Sequence, residues 1–353
     1  MASATPTVAI VFNLTGEDEY EQLRSVDPAS LDFTPAYRID VATAMEEYEA
    51  LAKGLRSEGF RVQLLNIKDD LTLLTDGLRR RRVDVVFNLV EHFREESGLE
   101  AAVAGVLDLM GIPFTGASAF SLTLCQRKGL TKQLLLANSI PTPKYLTLYH
   151  PSIPKKHDLR YPLIVKPGRE DASAGVHHGS VVRTWKDLGR AVRAEFKEFQ
   201  APILVEEFVD GRELHISILG NDPPKALPIL EYDFGELPAR VPRILSYDTK
   251  WNPLNEIYHR IHTVCPAPLS PSIAREMAQY ALRAYQVTGC RDYARVDLRY
   301  SPARGVHVLE VNPNPDLTEG VSFMECAEKY GLSFPTTLRM IVEMALARRS
   351  PPG

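Results

Sequence analysis

Tyr293-Ala294-Arg295-Val296-Asp297-Leu298-Arg299-Tyr300 and Val306-His307-Val308-Leu309-Glu310-Val311-Asn312 are two alternating polar and apolar runs joined by Ser301-Pro302-Ala303-Arg304-Gly305. Period-two alternation on either side of turn-forming residues predicts an antiparallel hairpin. With residues 302–305 as the loop, Ser301 is expected opposite Val306, Asp297 opposite Glu310 and Arg295 opposite Asn312. Residues two apart on a strand share a face, so these polar side chains project together. Directly opposed carboxylates are destabilising unless a cation neutralises them. Two carboxylates and an amide oxygen form the hard set that Mg²⁺ prefers, which makes Asp297, Glu310 and Asn312 the metal candidates. Arg295 beside them suits a phosphate or a developing oxyanion. Pro313-Asn314-Pro315 then forms a rigid exit that fixes the last ligand. A solvated sheet face of mixed charge is the plainer alternative.

Upstream, residues 161–166 form an apolar strand-like run ending in Lys166, followed by a loop with Ala172, Ser173, Ala174 and Gly175. A lysine at a strand end acts as a point charge on phosphate, and small residues let backbone N–H groups approach an anion. Ser173 is the catalytic candidate of this loop. The Walker spacing is absent, so it is not a P-loop. His177 and His178 read as ordinary strand residues. The run 201–209 is a further strand, leading through Asp210-Gly211 to Glu213, a carboxylate suited to a ribose; a hairpin with a charged edge is the alternative.

The 353 residues are 44% hydrophobic and 24% charged, enough for a sizeable core in two or three domains. Net charge of -4 gives no electrostatic reason to expect nucleic acid or an anionic membrane. The run Arg79 to Arg82 reads as a solvated helix end. Four scattered cysteines without CxxC spacing imply reduced thiols in a cytoplasmic protein. No segment reads as a signal peptide or a membrane span. The first third alternates strand-like runs (8–14, 61–67, 83–89) with helical ones (41–59, 71–80, 99–110), which predicts a parallel sheet covered by helices. The polar stretch 16–38 is long for a strand-to-helix connection and emerges where open parallel sheets bind ligands, so it is expected to form part of a substrate wall, with a plain surface insertion as the alternative. From Lys128 the pattern becomes α+β, with a mobile-looking loop near residues 242–259.

In this order, Gly111-Ile112-Pro113-Phe114-Thr115-Gly116, Lys128-Gly129-Leu130-Thr131-Lys132, Lys166, Val205 through Glu213 and Arg295 through Asn312 resemble the ATP-grasp superfamily, most closely its D-alanine-D-alanine ligase branch. The resemblance implies an α/β and α+β chain of three parts. These are a Rossmann-like parallel-sheet domain (1–127), a small central α+β domain (128–213) and a C-terminal α+β domain carrying the metal site and lid (214–353). It further implies that Lys128 and Lys166 contact ATP phosphates, that Glu206, Glu207 and Val209 line the adenine pocket, and that Glu213 holds the ribose. Asp297, Glu310 and Asn312 would bind two Mg²⁺, or Mn²⁺ in its place. Arg295 would stabilise the transferred phosphoryl group, and Lys250 in the lid would reach the γ-phosphate. The expected activity is carboxylate-amine ligation through an acyl phosphate on small-molecule substrates, and a homodimer is usual for this branch.

Departures concentrate at the amino-acid end. The branch's Gly-rich first loop reads Asn13-Leu14-Thr15-Gly16-Glu17-Asp18 here, and its His-Gly segment reads Glu91-His92-Phe93-Arg94-Glu95-Glu96-Ser97-Gly98. The serine and tyrosine of its substrate triad fall at Ala172 and Trp251, and the glycine after the metal asparagine becomes Asp316. These changes imply a substrate pair larger or differently charged than two D-alanines, such as an amino acid and a natural-product scaffold. The alternatives are a D-alanine-D-alanine ligase and a non-catalytic nucleotide-binding protein.

Overall fold

The computed structural model describes residues 5–16, 19–170, 173–199, 202–238 and 240–348; Glu17, Asp18 and Ala172, named above, lie outside them. Strand β1 (Thr7–Phe12), buried throughout, runs parallel between β2 (Arg61–Asn66) and β3 (Val85–Asn88), and Phe114 bridges to Val86 beyond them. A strand covered on both faces requires a continuous apolar run, which is how 7–12 reads. The short helix α1 (Glu19–Leu23) lies in the long connection after β1. Helix α2 (Ala44–Ser57) starts at Thr43, which with Glu46 forms a capping box. Helix α3 (Leu71–Arg81) ends in three arginines, and Arg82 turns the chain in the left-handed region. That run is therefore an exposed helix end favoured by the helix dipole. Helices α4 (Glu100–Leu109) and α5 (Ala119–Gln126) follow, then α6 (Lys128–Ala137), which opens on Lys128.

Four antiparallel strands, β4 (Tyr145–Leu148), β5 (Leu163–Pro167), β6 (Val181–Val182) and β7 (Ile203–Glu207), form a second sheet in the order β4-β7-β5-β6, packed against α7 (Trp185–Phe199). His177 and His178 are not strand residues: His177 caps a 3₁₀ turn, His178–Ser180. The third sheet contains β8 (Arg212–Leu219), β9 (Lys225–Ala226), β10 (Leu230–Asp233), β11 (His262–Val264), β12 (Tyr293–Ser301) and β13 (Gly305–Asn312). Its order is β11-β10-β8-β12-β13, with β9 beside β8. The boundary expected after residue 213 falls inside β8, whose pairing from Arg212 onward belongs to this sheet.

The segment expected to be a loose lid contains α8 (Tyr247–Trp251) and is tied down on two sides. The Tyr247 N–H donates to the Val176 carbonyl at 3.0 Å. The Tyr37 N–H donates to His259 Nδ1 at 3.1 Å, and His259 Nε2 lies 2.8 Å from the Pro253 carbonyl. With Nδ1 accepting, Nε2 is the nitrogen that donates to the Pro253 carbonyl. Helix α9 (Pro271–Val287) covers the third sheet. After α10 (Ser322–Lys329), the last helix α11 (Phe334–Ala347) returns to the first sheet, where Leu338, Ile341 and Val342 share a core with Val8, Ile10, Phe87 and Leu55. No described helix is long and apolar enough to cross a membrane.

Candidate active site

The hairpin β12–β13 brings Asp297 opposite Glu310 and Arg295 opposite Asn312. The route differs from the regular ladder expected. The loop spans residues 302–304, so Ser301 pairs with Gly305 and Tyr300, not Ser301, lies opposite Val306. The register then shifts between Asp297 and Leu298, because Leu309 is an extra residue on β13. A bulge places two residues of one strand against one of the other. It therefore restores at the polar end the pairing that the shorter turn displaced.

Arg295 donates from Nε to Asp297 Oδ1 at 2.7 Å and from Nη2 to Oδ2 at 2.9 Å. Asn312 Nδ2 also donates to Oδ2, at 2.9 Å. Burial disfavours the charged form of Asp297, but Arg295 overrides it and the carboxyl lies below its usual range. Burial likewise opposes the Arg295 charge, and Asp297 more than restores it. Lys128 Nζ lies 2.9 Å from Glu310 Oε2. Against the cost of burial, Lys128 and then Lys166 hold the Glu310 carboxyl low.

Glu206 is 2% exposed and sits between two lysines, with Lys166 Nζ at 2.6 Å and Lys132 Nζ at 2.8 Å. Its side chain is thus engaged by lysines rather than open to a base. Glu207 points to the opposite side, as a successive strand residue must. It accepts from the Arg160 N–H at 3.0 Å and pairs with Arg304. Glu213 accepts from Arg299 Nη2 at 2.5 Å, and Arg299 Nη1 donates to the Val209 carbonyl at 2.9 Å. Ser173, at φ +65°, donates its hydroxyl to the Leu245 carbonyl at 3.1 Å, which ties the loop after β5 to the lid. Lys250 is half-buried; burial and then the Arg295 charge lower its pKa.

Lys128, Lys166, Ser173, Glu206, Glu207, Val209, Glu213, Lys250, Asp297 and Glu310, all expected site residues, line one pocket between the second and third sheets. Arg295 and Asn312 line an adjoining cleft of about 1340 Å³, and Lys250, on the wall of both, stands at the junction. From the stretch 16–38, Tyr20, Arg24, Tyr37 and Arg38 reach this cleft, as do Trp251, Glu91, His92 and Asp316. Among the described residues no group of three or more His, Cys, Asp or Glu is set to hold a metal. The donor set is two opposed carboxylates and an amide, which fits Mg²⁺ completing its shell with phosphate oxygens and water.

Three partners were missed at the level of sequence. Arg299 shares the face of Arg295 and Asp297 by the same two-residue period, and pairs across the sheet with Glu213. Lys132 follows Lys128 by one helical turn, and so reaches the same side of α6. His215 is the cross-strand neighbour of Asp297, with Nε2 at 3.5 Å from Oδ1. Its ring is buried, which pushes its pKa down to about 3 and keeps it neutral. The first two were readable from spacing; the third needed the β8–β12 register.

The family profile described as D-ala D-ala ligase C-terminus matches residues 134–343. A D-alanine-D-alanine ligase of Gluconobacter oxydans is 31% identical over 301 residues, 85% of this chain and 93% of that relative. One of Carboxydothermus hydrogenoformans is 28% identical over 311 residues, again 85% and 93%. An uncharacterized protein of Sinorhizobium fredii is 31% identical over 268 residues, 76% of each chain. The crystal structure of D-alanine-D-alanine ligase from Bacillus anthracis complexed with ATP has the same fold, with a TM-score of 0.70 at 19% identity over 98% of this chain and 99% of that one. The profile covers more than half of the chain and relatives match most of its length, so the chain belongs to the D-alanine-D-alanine ligase family of ATP-grasp enzymes and is an ATP-dependent carboxylate-amine ligase.

Proposed function

We propose that the chain joins a carboxylate to an amine through an acyl phosphate, with ATP and Mg²⁺, on a substrate pair other than two D-alanines. The observation that carries the substrate part is the cleft beside Arg295 and Asn312. At about 1340 Å³ it exceeds the ~300–1,000 Å³ usual for small-ligand pockets, and its wall includes Asp316, Glu91 and Trp251. A dipeptide of two alanines would leave most of that space to water.

On this reading Lys128 and Lys166 take ATP phosphates, Glu207 and Val209 border the base with the Glu206 backbone, and Glu213 accepts from the ribose hydroxyls while Arg299 holds it in place. Asp297, Glu310 and Asn312 hold Mg²⁺, which when bound neutralises charge on the phosphate oxygens. Lys250, at the junction of pocket and cleft, meets the γ-phosphate, and Arg295 meets the charge that develops as the carboxylate oxygen attacks phosphorus and ADP leaves. The amine nitrogen then attacks the acyl carbon and inorganic phosphate departs. No nucleophilic side chain is needed, because positioning and electrostatics supply the acceleration. Ser173 acts by fastening its loop to the lid.

Mg²⁺-dependent ADP release, measured with amino acids, small acids and amines presented singly and in pairs, tests this. Release should require a pair other than D-alanine with itself. Full turnover on D-alanine alone overturns the substrate part and favours the second reading, a D-alanine-D-alanine ligase, which the names of the relatives at 28–31% identity support.

A further inference from the structure

Arg299 is 2% exposed and stands beside Glu213 on the wall of the pocket between the second and third sheets. Taking a guanidinium out of water is costly unless its donors are matched, and here they are matched to three different segments. Nη1 donates to the Val209 carbonyl at 2.9 Å, in the crossing from β7 to β8. Nη2 donates to the Glu213 carboxylate at 2.5 Å, across the β8–β12 ladder. The same nitrogen donates to the Arg243 carbonyl, where the lid segment begins. The guanidinium carbon lies 4.7 Å from the centre of the Phe208 ring, a cation over an aromatic face.

Such a set suits a planar fork of donors. A lysine, which is a point charge, could keep the carboxylate but not the spread of directions that also reaches two carbonyls. The connection to Arg243 carries the inference furthest. Ile244 and Leu245, which follow it, are buried and line the same pocket as Glu213, whereas the Arg243 side chain is exposed. The start of the lid is therefore fastened through its backbone, and the group that fastens it also holds the carboxylate read above as the ribose acceptor. Two segments held by one rigid group respond to each other: what steadies either one steadies both, and the coupling is reciprocal.

Resting on the ligase reading above, we propose that Arg299 is a positioning residue that couples ribose recognition to the lid: one guanidinium sets the Glu213 carboxylate for the ribose hydroxyls and ties the start of the lid to it. Calorimetry with Mg²⁺ and a non-hydrolysable ATP analogue, or its 2′-deoxy counterpart, reads the first half. Limited trypsin digestion, with mass spectrometry of the cut after Arg243, reads the second. The wild type should bind the ribonucleotide about tenfold more tightly than the deoxy form. At saturation the ribonucleotide should slow the cut after Arg243 by about fivefold or more. Arg299→Met should narrow the preference below about threefold and abolish the protection. Arg299→Lys, which keeps a charge for Glu213 without the fork, should retain the preference and still lose the protection. Cooperative melting certifies that each variant is folded, and should Arg299→Met fail to fold, Arg299→Lys decides alone. An undiminished preference in Arg299→Met, or wild-type protection in Arg299→Lys, overturns the proposal. Equal affinities of the wild type for the two nucleotides, or no protection of the wild type, overturn it as well. Failure of the wild type to bind the ATP analogue with Mg²⁺ would instead defeat the ligase reading itself, and this inference with it.

Discussion

Asp297 is held by Arg295 through both of its oxygens, by Asn312 through one, and faces His215 across the sheet. Such a residue responds to substitution in a diagnostic way. Asp297→Asn keeps the volume and most of the hydrogen bonds but removes the charge opposite Glu310. Its kcat should drop by at least about 100-fold, the usual scale for losing one well-placed electrostatic partner, while its melting temperature stays within a few degrees of the wild type. A coupled assay for ADP and a thermal melt read both quantities; turnover within twofold of the wild type would refute the metal assignment. At this scale much of the site was legible, because strand periodicity assigns faces without knowledge of the fold. The pairing of Arg295 with Asn312 and of Asp297 with Glu310 was expected from alternation, and it holds because the shorter turn and the extra Leu309 offset each other. The direction of the Glu206 side chain was not legible, because it depends on two lysines from a neighbouring helix and strand that no local period relates to it.

Helix α7 carries a buried group that no candidate function uses. Glu195 is 4% exposed, one of its oxygens has no partner, and burial and then Glu198 lift its pKa from 4.5 to about 7. Well below pH 4.5 both folded and unfolded chains carry the proton, and the residue costs nothing. As pH rises toward 7 the unfolded chain releases the proton first, so stability falls, and above 7 the loss is constant. Glu195→Gln should therefore stabilise the protein by about 1–2 kcal/mol at pH 8 and leave it unchanged at pH 4. Urea titrations at the two pH values check this, and an equal effect at both would show that ionisation is not the cause. Elements with long, regular periods were the readable ones: α2, α3 and α4 differ from their expected ranges by only a few residues. The short pieces β9, β10, β11, α8 and α10 were not read, since each depends on partners distant in sequence rather than on its own pattern.

Across the whole molecule, chain order and spatial order part at the last helix, which packs on the first sheet. Asp292 fastens that return. It is fully buried, accepts from the Gly116 N–H at 2.9 Å and from Asn221 at 3.0 Å, and pairs with Arg348, which also donates to the Phe114 carbonyl at 2.6 Å. Removing one partner of such a network leaves the others buried and unsatisfied. Asp292→Ala should cost about 3 kcal/mol or more, measured by chemical denaturation, and a loss below about 1 kcal/mol would mean that water substitutes for the carboxylate. Nothing in the local sequence announces this hub, because its partners come from three separate segments, around Gly116, Asn221 and Arg348. Nucleotide should act at the same scale: Mg²⁺ with ATP should raise the melting temperature of the wild type by several degrees by mass action. Chelation of the metal should remove most of that rise, and a rise that survives chelation would count against a metal-dependent nucleotide site.

The extra residue in β13 has a consequence of parity. Strict alternation would send Leu309 into the apolar core and leave Glu310 alone on its side, whereas the odd residue places Leu309 with Glu310 on the wall of the pocket between the second and third sheets. Deleting Leu309 would leave an even ladder in which Asp297 still meets Glu310 and Arg295 still meets Asn312. One greasy side chain would thereby be subtracted from the pocket without reversing a single neighbour, so the shortened protein should melt near the wild-type temperature yet hold an ATP analogue several-fold more weakly. Calorimetry would read that difference, and an unfolded or fully inactive deletion would mean that the hairpin needs its irregularity for more than aim.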